Sequence, residues 1–104
     1  MGNYRRKLDI IADILQVASQ NAKKTQIMYQ ANLSYKVLQR YLSKTIAASL
    51  MRFDTEEQLY VITVKGKEFL QAYRDYSKTN KIIERHLNDF DSKKKNLEEL
   101  CSIK

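Results

Sequence analysis

Apolar residues along this chain recur at helical spacing, then at extended spacing, then at helical spacing again to the C-terminus. Leu8, Ile11, Leu15 and Ala18 lie three and four residues apart, and Ile10, Ile14 and Val17 widen the stripe. The pattern predicts a first helix from about Tyr4 to Ala18, broad enough on its apolar face to pack on more than one neighbour. The polar run Ser19–Lys24 reads as a connection. Thr25 is suited to cap a second helix ending near Ala31, with Ile27, Met28 and Ala31 inward. Asn32 fits the left-handed position that ends such a helix. Ser34 then caps a third helix, and Leu33 and Leu38, either side of that cap, are spaced as a hydrophobic staple. The stretch Lys24–Tyr41 is thus a short helix, a tight turn and a longer helix. At about 100° per residue, Leu38, Tyr41, Leu42 and Thr45 share one side of the third helix, with Ile46 beside them.

After Met51 the period becomes extended. Met51–Phe53 and Gln58–Ile62 read as two short strands joined by a turn at Asp54–Glu57, and Phe53, Leu59, Tyr60 and Val61 favour β structure. Thr63 caps the last helix, in which no breaker follows Gly66. Phe69, Tyr76, Ile83, Phe90 and Leu97 recur every seven residues, and Tyr73, Asn80, Leu87, Lys94 and Cys101 form a second series. Alternating four and three spacings of this kind mark a coiled-coil seam. Held to Leu100, the helix would be roughly 55 Å long at about 1.5 Å per residue. The small body before it cannot cover a stripe of that length, so the seam calls for a second chain. Asn80 and Lys94 interrupt it, as polar seam residues that select register and orientation do.

The expected fold is therefore mostly α with a small β-hairpin: a winged helix-turn-helix head over residues 1–62, continuous with a dimerisation helix over 63–104. Composition agrees. The 104 residues suit one modest core, and with no proline and two glycines the chain lacks the turn residues of a β-sandwich. No signal peptide opens it, and no run approaches the ~18 apolar residues of a membrane span. A soluble, cytoplasmic protein is expected.

Charge turns the fold toward a partner. The net charge is +7, with nine basic and five acidic residues before Ile62 and ten and seven after it. A basic compact domain is drawn to polyanions. On the third helix Lys36, Arg40, Ser43 and Ala47 point away from the apolar side, with Gln39 and Lys44 on the shoulders. These are cations for phosphates and guanine edges, an amide for adenine, and small residues that permit close approach to a groove floor. A helix-turn-helix presents its second helix to the major groove in this way. The expected DNA-binding set is Lys36, Gln39, Arg40, Ser43 and Lys44 in the groove, with Lys23, Lys24, Ser34 and Tyr35 on the backbone. Arg5, Arg6 and Lys7 form either a solvated basic end or a further phosphate contact. Asp54, Glu56 and Glu57 put carboxylates at the hairpin tip, where repulsion keeps them off phosphates, so the wing is expected to be mainly structural. The expected dimer interface is Phe69, Tyr73, Tyr76, Asn80, Ile83, Leu87, Phe90, Lys94 and Leu97.

Nothing points to catalysis, a cofactor, a metal or a small-molecule substrate. The lone His86 falls within the coiled coil with no nucleophile or metal cluster around it, and no glycine-rich phosphate loop occurs. Cys101 excludes an internal disulfide and reads as a packing residue. Tyr41, Tyr60, Tyr73 and Tyr76 fall at packing positions rather than forming an RNA-stacking platform.

Lys24, Thr25, Ile27, Met28, Tyr29, Ala31, Asn32, Leu33, Ser34, Tyr35, Arg40 and Tyr41, followed by Thr63, Lys65 and Gly66 after the wing, carry a family likeness. The chain resembles, over nearly its whole length, the small archaeal winged-helix proteins of the Sulfolobus ten-a group, which are basic and chromatin-associated. The resemblance implies a homodimer joined by an antiparallel coiled coil, with heads at opposite ends of a rod. It also implies double-stranded DNA binding with little sequence preference, association with the nucleoid, bridging or stiffening of DNA, and a hot-living archaeal source. The acidic hairpin tip departs from the family pattern. A site-specific regulator and a protein-interaction module stay open beside the architectural reading.

Overall fold

The computed structural model describes residues 5–101. It contains α1 (Lys7–Ala18), α2 (Lys24–Gln30), α3 (Tyr35–Ala47), β1 (Met51–Asp54), β2 (Leu59–Ile62) and α4 (Val64–Leu100). The expected start of the first helix at Tyr4 lies outside the described residues. At the start of α1 the Asp9 carboxylate accepts a 2.9 Å hydrogen bond from the Arg6 N–H, satisfying a donor that no helix turn can reach. Ala12, Ile14, Leu15 and Ala18 are buried, while Leu8, expected inward, is 47% exposed. Its angular position suits the core, but it sits in the first turn, and the core begins a turn later at Ala12.

The second helix starts two residues earlier than a Thr25 cap implies, and Thr25 does not cap it. Lys23 occupies that position in an extended conformation with no side-chain cap. The cause is next door: Ala22 makes an antiparallel bridge with Tyr60, its N–H donating at 3.1 Å and its carbonyl accepting at 2.8 Å. That bridge holds the chain straight up to Lys24. The exit from α2 follows the expectation. Asn32 is left-handed at φ 53°, and the N–H groups of Leu33 and Asn32 return to the carbonyls of Met28 and Tyr29. This is the Schellman pairing, which fills the last orphan carbonyls of a helix. Ser34 then accepts from the Val37 N–H at 3.3 Å, as an N-cap should. Leu38, Tyr41, Leu42 and Thr45 are the buried residues of α3.

A second Schellman turn ends α3. Ser49 takes φ 62°, and the Leu50 and Ser49 N–H groups donate to Thr45 and Ile46. The following hairpin is antiparallel, with Met51 opposite Ile62 and Phe53 opposite Tyr60. The Phe53 and Tyr60 rings lie 4.8 Å apart, a cross-strand aromatic pair of the kind that stabilises short sheets. At the tip, Asp54 Oδ1 accepts from the Glu56 and Glu57 N–H groups.

Thr63, Lys65 and Gly66 lock the next junction. The Thr63 hydroxyl donates to the Ser49 carbonyl at 2.7 Å and accepts from the Gly66 N–H at 3.0 Å, so it caps α4 while tying it to the end of α3. Lys65 donates to the Ala48 carbonyl at 2.8 Å. Gly66 is buried, and a Cβ there would stand 2.1 Å from the Leu50 oxygen.

The chain divides into two compact units, one ending at Tyr73 and one beginning at Arg74. The first unit holds the core, drawn from α1, α2, α3, the hairpin and Leu70 of α4. The head thus extends past residue 62 into the first turns of α4. The second unit is helical through Leu100. Among the described residues no helix is long and apolar enough to cross a membrane.

Candidate nucleic-acid interface

The outward face of α3 is set by the burial of its inward one. Because Leu38, Tyr41, Leu42 and Thr45 are held in the core, Lys36, Gln39, Arg40, Ser43 and Lys44 are all exposed on one 13-residue helix. The Ser43 hydroxyl donates to the Gln39 carbonyl at 3.2 Å, keeping its bulk against the helix. Arg40 and Lys44 both lie by the Tyr41 ring, with Cζ 5.5 Å and Nζ 5.2 Å from its centroid. Ring faces attract cations by ~0.5–1 kcal/mol at exposed sites, so Tyr41 restrains two charged side chains that would otherwise sweep freely.

Beside this face the start of α2 meets the start of α3. Lys24 Nζ donates to the Tyr35 hydroxyl at 3.2 Å and stands 4.6 Å from the ring centroid. Tyr35 is 60% exposed. Ser34 Oγ is engaged as the α3 cap, and Lys23 is exposed at the start of α2.

The electrostatics of this region come from an absence that the periodicity argument passes over. Between Asp13 and Asp54 the sequence holds no acidic residue, while Lys23, Lys24, Lys36, Arg40, Lys44 and Arg52 all fall there. Among the described residues none of these cations is paired with a carboxylate. Arg52, exposed on β1, is the member that helix-face reasoning missed, and the acid-free run is the signal that would have found it.

Arg5 is neither a solvated end nor free for a phosphate. Its guanidinium donates to Asp13 at 2.9 Å, to the Ala31 carbonyl at 2.5 Å and to the Asn32 carbonyl at 2.6 Å, latching the turn between α2 and α3 to the start of α1. Arg6 and Lys7 are exposed. The tip carboxylates Glu56 and Glu57 are exposed as well, and that of Asp54 is turned onto the Glu56 and Glu57 N–H groups.

The seam residues separate into two groups. Phe69 and Tyr73 are half-buried and pack against the head's own core, their rings stacked 6.4 Å apart. The Tyr73 hydroxyl donates to the Asp9 carboxylate. This bond, with the Arg6 N–H, holds the Asp9 carboxyl below its ordinary value, against the opposing effect of burial. In the second unit Tyr76, Ile83, Leu87, Phe90 and Leu97 are between 51% and 63% exposed. Asn80 donates to Glu84 one turn on, and Lys94, His86 and Cys101 are exposed. Among the described residues no group of three or more His, Cys, Asp or Glu is placed to hold a metal ion.

Comparison with known proteins agrees with this geometry. The model of the winged helix-turn-helix family matches residues 4–81. Among solved structures, Sso10a-2, a DNA-binding protein from Sulfolobus solfataricus, is 25% identical and superposes with a TM-score of 0.68, over 96% of this chain and 100% of that one. Two mutants of Lactococcus lactis ZitR, each 14% identical, superpose at 0.57 and 0.56 over 96% of this chain and 76% of theirs. No curated protein matches in sequence.

Proposed function

This chain belongs to the winged helix-turn-helix family, and from that premise we propose that it is a dimeric double-stranded DNA-binding protein of architectural, low-specificity character. One observation carries the reading. The outward side of α3 is built from Lys36, Gln39, Arg40, Ser43 and Lys44, with no carboxylate between Asp13 and Asp54 to neutralise it. Lys36, Gln39, Arg40 and Lys44 enter the major groove. Ser43, with its hydroxyl on its own helix, lets α3 lie close. Lys23, Lys24, Ser34 and Tyr35 hold the phosphate backbone. The likeness to Sso10a-2, itself described as DNA-binding, supports the same reading.

A homodimer follows from the seam. Tyr76, Ile83, Leu87, Phe90 and Leu97 form a heptad stripe of exposed apolar side chains, and a second copy covers it best because the stripe is self-complementary. Asn80 and Lys94 set its register, and Phe69 and Tyr73 serve the head. The resemblance to the Sulfolobus ten-a group supports an antiparallel arrangement, a nucleoid location in the cytoplasm, and bridging or stiffening of duplexes.

The test is duplex affinity across a salt series, with several unrelated sequences of equal length. Similar affinities with a steep salt slope are expected, since phosphate neutralisation releases counterions. One sequence bound ~10³-fold or more above the rest would make the protein a site-specific regulator. No binding at low salt would leave a protein-interaction module. Within a binding protein, Arg40→Ala should weaken affinity by about 1–3 kcal/mol if it meets a base. Unchanged affinity in both Arg40→Ala and Lys36→Ala would remove α3 from the interface.

A further inference from the structure

We infer that Lys24 and Tyr35 form one phosphate clamp across the start of α2 and α3, in which Lys24 is also a positioning residue for the Tyr35 proton. The inference rests on the DNA-binding reading and adds to it a coupling between two side chains on different helices. Lys24 Nζ lies 3.2 Å from Tyr35 Oη and 4.6 Å from the ring centroid. An ammonium group has three donors and no acceptor, whereas a phenol has one proton. In this bond Lys24 therefore donates and the phenol accepts. The single phenolic proton must then point away from Lys24, toward whatever acceptor lies outside.

Tyr35 is 60% exposed, so that outward direction is solvent in the free protein. A phosphodiester is the acceptor that fits. Its two unesterified oxygens take hydrogen bonds side by side, one from the phenol and one from a remaining ammonium proton of Lys24. Neither cation nor phenol has a competing carboxylate among the described residues. The ring contact adds a second restraint, since Lys24 lies by the ring it activates. Removing Lys24 thus takes away a charge and also frees the phenol to rotate. Removing the hydroxyl leaves Lys24 with its charge and without its anchor.

A double-mutant cycle on duplex DNA tests this, using Lys24→Gln, Tyr35→Phe and the pair, with dissociation constants measured over a salt series. Tyr35→Phe is expected to weaken binding three- to tenfold with an unchanged salt slope, because a neutral donor displaces no counterion. Lys24→Gln is expected to weaken binding and lower the slope by about one. The pair should lose at least threefold less affinity than the product of the single losses. A product relationship would overturn the clamp and leave two independent contacts, with DNA binding intact. An unchanged affinity in Tyr35→Phe would overturn it as well. Failure of the unsubstituted protein to bind any duplex at low salt would instead remove the DNA reading and the clamp with it. Unfolding midpoints that match across the four proteins establish that folding is not what the cycle reports.

Discussion

Two residues bear more of the head's stability than their size suggests. A methyl group at Gly66 would meet the Leu50 carbonyl oxygen at 2.1 Å and the Ile62 side chain at 2.6 Å, and the first of these is backbone that cannot swing aside. Alanine gains about 1 kcal/mol of helix propensity over glycine, but overpacking of this severity costs about 3 kcal/mol. Gly66→Ala should therefore lower unfolding stability in urea by about 2 kcal/mol or more. A neutral or stabilising effect would mean that α4 can slide from the α3–β1 connection. Asp9 is the second such residue. Its carboxyl is held below its ordinary value chiefly by Tyr73 and next by the Arg6 N–H. A depressed folded value adds stability above the unfolded value of about 3.9, and that increment is lost as pH falls through the folded value. Tyr73→Phe should cost about 1 kcal/mol at neutral pH, with the gap to the unsubstituted protein narrowing as pH falls through the depressed folded value. A gap constant with pH would assign the effect to packing alone.

At the scale of elements, what could be read from sequence depended on whether a signal was local. Ser34 and Asn32 were legible because capping and left-handed backbone are properties of one or two residues. The inward set of α3 was legible because 13 residues sample a full helical period several times. Thr25 misled because the start of α2 is fixed by the bridge from Ala22 to Tyr60, a contact that no local rule contains. Arg5 misled for the same reason, its acceptors at Ala31 and Asn32 lying far along the chain. Lys36, Gln39, Arg40, Ser43 and Lys44 are all exposed on α3, but Arg52 escaped because it belongs to a strand. The wing supplies a prediction at this scale. If charge holds its tip from phosphates, Glu56→Lys with Glu57→Lys should tighten DNA binding and steepen the salt slope by up to about two. Unchanged affinity would mean that the tip lies out of reach of the duplex.

For the whole molecule the decisive quantity is the number of heads. The sequence carries a heptad series from Phe69 to Cys101, yet periodicity alone did not show that Phe69 and Tyr73 already pack on the head's core. The exposed apolar residues of the series begin at Tyr76. Leu87→Asp places a carboxylate in the middle of that stripe, where burial of an unpaired charge is prohibitive. It should convert the protein to a monomer by sedimentation while the head keeps its fold. Affinity for long duplexes should then fall more than any single contact explains, because two linked heads raise each other's effective concentration. A monomeric mass for the unsubstituted protein at micromolar concentration would dismiss the dimer.

The Ala22–Tyr60 bridge bears on the order in which the head can assemble. Two strands of four residues each make a hairpin that is marginal alone in water. Its only strand-like support among the described residues comes from Ala22, which precedes α2 and α3 in the chain. Closing that distance costs loop entropy, and docking of the helices between lowers that cost by bringing Ala22 and Tyr60 together. The wing is thus no independent folding unit. Its pairing depends on the packing of the helices that lie between the bridged residues.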